Sequence, residues 1–242
     1  MGWWSVQEIL FLIIGVIALI AFLYLSIKGS SPLIPLGFLR ERNVLIANTI
    51  AFLAAMANFV AFYAFIYLAE LPKPYGFSPN VLEAARALLP AMVAMFIGGI
   101  LAGTGTSKIG PKPIIFVGSL LMLLSFILFM VNRATVFDLQ MDAAVSLGGM
   151  MPSFVSVVNM ISVALPSDFI AVWQSVNNTL KSVGNSVGPV VATTIMAQYT
   201  VADTGLPSGV AFDSMFLLSI IISIMIIAIT LFISNYRLAQ PK

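Results

Sequence analysis

Seven residues of one apolar stretch hold most of the chemistry this chain can offer: Gln174, Asn177, Asn178, Lys181, Gly184, Asn185 and Gly188. They recur at i, i+3, i+4, i+7 spacing, which places them on one face of a helix. Ser175, Ser182 and Ser186 widen that face. Amides donate and accept hydrogen bonds, and an ammonium donates three and carries charge. Such a set binds and orients polar groups. Covalent chemistry would need Lys181 to act as a dyad with Ser182 or Ser186, the weakest reading of these residues. Lys181 lies about 12 residues from the nearer end of its stretch, so about 18 Å deep at 1.5 Å per residue. A lysine at such depth in a membrane costs roughly 2.5–3.5 kcal/mol. A water-filled cavity meets that cost, and so does an ion pair or a snorkelling side chain.

A second polar stripe follows 4, 3, 4, 3 spacing through Asp142, Ser146, Gly149, Ser153 and Ser156, with Asn159 just off the line. Asp142 lies one turn inside its stretch and is the expected charged partner of Lys181. Asn48 and Asn58 interrupt another stretch, with Tyr63, Tyr67 and Glu70 on one face toward its end.

The elements that must carry these residues are read from composition. Hydrophobic residues make up 60% and charged residues 8% of the 242, against roughly 45–50% and 25% in soluble domains. A bilayer core needs about 20 apolar residues as helix. Seven stretches meet this: 8–27, 44–69, 81–101, 113–131, 137–165, 169–196 and 212–234. The expected fold is an all-α membrane protein with seven spans and short connections. The longest connection, 28–43, sets the expected boundary between 1–43 and 44–242. The last stretch is nearly pure Ile, Leu, Phe and Met and is expected to face lipid. Pro90, Pro152 and Pro189 lie inside stretches and are expected to bend them. Gly99 and Gly103, and Gly184 and Gly188, are each four apart, a spacing that lets helices approach closely.

With no Cys and no His, disulfides, thiol nucleophiles, triads and most transition-metal sites are excluded. No phosphate loop, zinc-protease motif or nucleophile elbow occurs, so no cofactor is expected. The sequence pI is near 9.0, yet the net charge is only +2 and the basic residues sit at span ends. That argues for a lipid bilayer and against nucleic acid. Lys28, Arg40, Arg42, Lys108, Lys112, Arg237 and Lys242 fall on one side of the spans, and Lys73 and Arg133 on the other. By the positive-inside rule the N-terminus is expected outside the cell membrane and the C-terminus in the cytoplasm.

Several motifs together resemble the major facilitator superfamily, in its fourteen-span drug:proton antiporter branch. The segment from Gly103 through Lys108 and Gly110 to Lys112 resembles the superfamily's cytoplasmic loop signature, with Ser107 and Pro111 as departures. The run from Asn177 to Gly184, Gly188 and Pro189 resembles the branch's penultimate span, where Lys181 stands at a position usually held by Arg. Residues 31–43 resemble the linker after the accessory helices. Residues 75–90 resemble the next outer loop and helix start, with Ala85 and Arg86 as departures.

The resemblance implies the second, six-helix half of such a transporter, preceded by one accessory helix. Its implied activity is proton-coupled efflux of small amphipathic compounds by alternating access. Its implied partner is an N-terminal half or a second copy of the chain. On that reading Asn177, Asn178, Lys181 and Asn185 line a substrate cavity, with Ser153, Ser156 and Tyr63 as weaker candidates. Asp142 and Lys181 are candidates for coupling, and Gly184, Gly188 and Pro189 for packing or hinge positions. The alternative is a half-sized membrane subunit that pairs with another protein and transports nothing.

Overall fold

The structure is a computed structural model that describes residues 6–28, 41–71, 77 and 81–234. The chain divides into two units, Met1–Glu41 and Arg42–Lys242. The first contains helix α1 (Val6–Lys28). The resemblance across 31–40 and at 75, 76 and 78–80 lies outside the described residues, as does the C-terminal tail.

The second unit holds α2 (Arg42–Glu70), α3 (Val81–Ala87), α4 (Leu89–Ile109), α5 (Pro111–Val131), α6 (Val136–Ala164), α7 (Ser167–Gln198) and α8 (Gly209–Leu231). Five described segments are long and apolar enough to cross a membrane: Arg42–Glu70, Ala85–Ile109, Pro111–Val131, Val136–Ala164 and Gly209–Leu231. The 32-residue α7 is not one of them. Its amides, hydroxyls and glycines dilute its apolar residues.

The helix ends follow local chemistry. Pro90 has no N–H to give, so the 81–101 stretch breaks at Leu88 into α3 and α4. Thr135 and Asp138 form a reciprocal capping box at the start of α6, with bonds of 2.9 and 3.2 Å. Gly110 alone turns the chain from α4 into α5, at φ 88° and ψ 167°, a backbone region open essentially only to glycine.

The packing has a repeated plan. α2 packs against α6, α7 and α8, while α6 packs against α2, α4 and α5, and α5 meets α8. The triplets α2–α4–α5 and α6–α7–α8 therefore exchange their middle helices: α4 lies on α6 and α7 lies on α2. Both exchanged pairs run parallel. In one, Asn177 pairs with Asn48, and Gly188 meets Phe59. In the other, Gly98 meets Gly148, and Thr106 bonds Ser156.

Glycines permit the close crossings. A Cβ on Gly98 would lie 2.6 Å from the Gly148 carbonyl oxygen, and one on Gly118 would lie 2.6 Å from that of Gly149. α6 is thus held between α4 and α5. Gly99 and Gly103 do not serve this purpose. Gly103 has open space around it, and Gly99 faces only the end of Met151 at 3.6 Å. The close contact comes one residue earlier, because the face of α4 turned to α6 runs through Ala91, Gly98, Ala102 and Thr106.

The last stretch, expected to face lipid, leaves Leu217, Ile221, Ile224 and Met225 exposed but also has a buried face. α8 buries Phe212, Met215, Phe216, Ser219, Ile222, Ser223, Ile226 and Thr230. The Phe216 and Phe129 rings stack at 5.0 Å, and Ser219 donates to the Ala57 carbonyl at 3.0 Å. Serines at that spacing give an otherwise apolar helix one packed face.

The C-terminus of α8 is gripped at the basic end of the bundle. Lys112 Nζ donates to the carbonyls of Leu231 at 2.9 Å and Ile233 at 3.2 Å. Asn43 donates to the Ser234 carbonyl and accepts from its N–H, and Arg42 lies over the Phe232 ring at 6.0 Å. A cation at a helix C-terminus is worth about 0.3–1 kcal/mol. Lys112→Ala is expected to speed amide exchange in the last turn of α8 by roughly two- to fivefold, the equivalent of that energy. Exchange unchanged there but faster in α4 would contradict the assignment.

Candidate functional site

The polar face of α7 divides in the structure. At about 100° per residue, the seven residues Gln174 to Gly188 cover an arc of about 120°. One edge is buried against α2. Asn177 donates to Asn48 Oδ1 at 3.0 Å and is 4% exposed. A Cβ on Gly184 would collide with the Phe52 carbonyl oxygen, and one on Gly188 would lie 2.7 Å from Phe59 Cβ. The other edge, with Asn178 and beyond it Ser182 and Ser186, is exposed. Lys181, Asn185 and Pro189 are half-buried, and Lys181 lies on the border between the two. Asn177 is therefore an interhelical clamp rather than part of an open lining. Fixed periodicity could not separate it from Asn178, because one residue of rotation decides between packing and exposure.

Lys181 and Asp142 are not brought together. Lys181 Nζ lies 5.4 Å from the centroid of the Phe154 ring, and no ion pair joins it to any described carboxylate. Phe154 and Asp142 are 12 residues apart on α6 (154 − 142), about 18 Å of rise. The lysine stem cannot cover that distance. The ion pair within the described bundle is instead Arg133–Asp213 at 2.7 Å, near the opposite end from Lys112. Asp142 is 5% exposed and its Oδ2 has no partner, while its main-chain carbonyl accepts from Ser125 at 2.7 Å.

Ser153 and Ser156 are fully buried. Ser156 bonds Thr106 at 2.7 Å, and Ser153 donates back to the Gly149 carbonyl at 3.4 Å. Both lie in the contacts of α6 with α4 and α5, so neither faces an open cavity. Small hydroxyls at a tight crossing replace bulk that would not fit. Tyr63 is half-buried beside Tyr67, with ring centroids 6.4 Å apart. The 129-residue register of Asn177 on Asn48 sets Lys181 level with residue 52 (181 − 129). Tyr63 is 11 residues farther along α2, about 17 Å of rise.

The segment read as a cytoplasmic loop is mostly helix. Gly103 and Lys108 lie in α4, Gly110 forms the turn, and Lys112 lies in the first turn of α5. Lys108 is exposed, whereas Lys112 holds α8. Only Gly110 needs its glycine for the turn.

Three contributions escaped the sequence reading. Phe154 is the surface on which Lys181 rests. Asn58 accepts from Ser146 at 3.0 Å and donates to the Ala54 carbonyl at 3.1 Å. These two line a small cavity of about 20 Å³ with Phe62, Phe65, Leu88 and Phe129, room for about one water. Asn48 is the partner of Asn177. Asn48 and Asn58 stand out as mid-span amides, but their partners depend on the helix exchange, which no local pattern contains.

The energetics single out Lys181. A mid-membrane lysine costs roughly 2.5–3.5 kcal/mol, and a cation–π contact returns about 0.5–2 kcal/mol. The Phe154 contact leaves a deficit. It is met where the side chain reaches water or a polar ligand, which half-burial beside an exposed amide permits.

No family model matches the chain. It is 28% identical over 203 residues to the tetracenomycin C resistance and export protein of Streptomyces glaucescens, covering 81% of this chain and 36% of that protein. It is 27% identical over 129 residues to the multidrug transporter protein MdtP of Bacillus subtilis (strain 168), covering 52% and 23%. The uncharacterized MFS-type transporter YhcA of the same organism is 22% identical over 204 residues, covering 82% and 37%. The chain is similar to transporters. With the all-α membrane fold, these relatives support membership of the major facilitator superfamily. They are transporters and not enzymes, in keeping with side chains that bind rather than react. The chain spans between about a quarter and somewhat over a third of the length of these relatives.

Proposed function

We infer that the chain is one six-helix half of a secondary active exporter, preceded by an accessory helix and allied to the fourteen-span drug:proton antiporters. It works in the cell membrane with its N-terminus outside and its C-terminus in the cytoplasm, paired with an N-terminal half or a second copy. Substrates are small amphipathic compounds, moved by alternating access and driven by protons. The observation that carries this reading is the open polar edge of α7, with Lys181 at mid-helix, in a bundle whose other outward faces are apolar. Lipid does not pay for such a face, whereas a central cavity uses it. Substrate contacts there bias two global states. Asp142, buried with a free carboxylate oxygen, is the residue assigned to bind the coupling proton.

Co-reconstitution tests the reading. Proteoliposomes with the chain and an N-terminal half taken from a relative such as the tetracenomycin exporter are expected to accumulate an amphipathic dye under a proton gradient. The chain alone is expected to give flux at the background of empty liposomes. Strong flux from the chain alone would favour a homodimer. No flux in any pairing, with a stable complex present, would favour the alternative of a non-transporting subunit.

A further inference from the structure

Lys181 stands about 14 residues into α7 from Ser167, about 21 Å of rise, near the middle of a 32-residue helix. Among the described residues no carboxylate lies within salt-bridge distance of its ammonium, which rests 5.4 Å from the Phe154 ring centroid. Asn185 follows one turn later on the same face, where side chains four apart are neighbours. Its Oδ1 is buried and accepts no hydrogen bond. Its main-chain carbonyl also loses its helical donor, because Pro189 has no N–H. Asn178 lies exposed one turn before Lys181.

These groups ask for complementary chemistry. A positive charge with no anion calls for an anion. The face of Phe154 offers an apolar plate. We propose that this site binds amphipathic compounds carrying an ionised acidic group, a carboxylate or an acidic phenol, on a flat apolar body, and that it disfavours permanently cationic amphiphiles. The acid pairs with Lys181, and the apolar body lies along the Phe154 ring. The proposal deepens the exporter reading and rests on it, since it names the substrate class of the same face. A quaternary ammonium of the same size would bring like charge to Lys181, and such juxtaposition is penalised.

Binding and transport are measured separately so that the two readings can fail separately. The 242-residue chain is purified in lipid nanodiscs. It is titrated with 4-(1-pyrenyl)butyrate and with the matching 4-(1-pyrenyl)butyl-trimethylammonium, each followed by fluorescence anisotropy and referred to empty nanodiscs. The butyrate is expected to bind about tenfold more tightly than the ammonium, the scale of one charge-assisted hydrogen bond. Lys181→Gln is expected to bring the ratio close to one and Lys181→Arg to keep it. Size-exclusion profiles identify any variant that fails to fold, and the arginine variant and the wild-type ratio then still decide. Equal affinities in the wild type, a preference for the ammonium, binding of neither probe, or a ratio unchanged in folded Lys181→Gln would each overturn the proposal. Acid-selective binding without flux in the co-reconstituted system would leave the site standing and remove the exporter reading. Flux without acid selectivity would do the reverse.

Discussion

Gly149→Val is expected to leave almost no folded protein. A Cβ at this position would lie 2.7 Å from the Gly118 carbonyl oxygen, 2.7 Å from Leu121 Cβ and 3.0 Å from the Met122 nitrogen. Two of those atoms are backbone and cannot rotate away. The crossing of α5 and α6 would have to open, which separates Ser125 from Asp142 and empties the contact around Phe126. Overpacking by a methylene or two costs about 1–3 kcal/mol, and a backbone collision of this kind lies at or beyond the top of that range. Gly103→Ala is the control. Nothing lies within 4 Å of its Cβ position, and alanine gains about 0.5–1 kcal/mol over glycine inside a helix. Monodisperse yield and thermal midpoint should collapse in the first variant and hold or rise in the second. Equal behaviour of the two would refute the packing described for α6.

Asp142→Asn should separate substrate movement from its driving force. The side chain is buried, one turn from Ser146, and its Oδ2 is unpartnered. Asparagine keeps the shape but cannot bind and release a proton. In the reconstituted pair, flux driven by a pH gradient is expected to fall at least about tenfold, equivalent to about 1.4 kcal/mol. Exchange of labelled for unlabelled substrate without a gradient should persist. The other acid nearby is Asp138, one turn away on α6, where it caps the helix through Thr135 and accepts from Asn132. Asp138→Asn should therefore lower stability and leave the coupling ratio alone. Gradient-driven flux that survives in Asp142→Asn would move the proton site elsewhere. Combining Lys181→Met with Asp142→Asn is expected to give additive effects, since about 18 Å of helix separates the two levels.

The helices were legible because a bilayer demands length and hydrophobicity, and both are local properties. The stretches 113–131 and 137–165 match α5 and α6 to within two residues at each end. Side assignments along one helix were less legible. Asn177 and Asn178 are equivalent in type and adjacent in sequence, yet one clamps α2 and the other is exposed. The Ser153 and Ser156 hydroxyls looked like lining because polarity in a span suggests water. In the folded protein they face Gly118 and Thr106, where smallness rather than polarity is what the crossing requires. The expected Lys181–Asp142 pair failed for a related reason. Depth estimates from span ends carry errors of several residues, and each residue moves a charge by 1.5 Å.

The exchange of α4 and α7 between the two triplets bears on how the protein is made. Asn48 waits for Asn177, which follows it by 129 residues. At about 5–20 residues per second that interval is roughly 6–26 s. Throughout it, the face of α2 that receives Gly184 and Gly188 has no helix upon it, and the Asn48 amide lacks its partner. A nascent chain halted between α6 and α7 would present that amide to lipid. Docking of α7, late in synthesis, then satisfies the Asn48 oxygen and covers this face of α2 together.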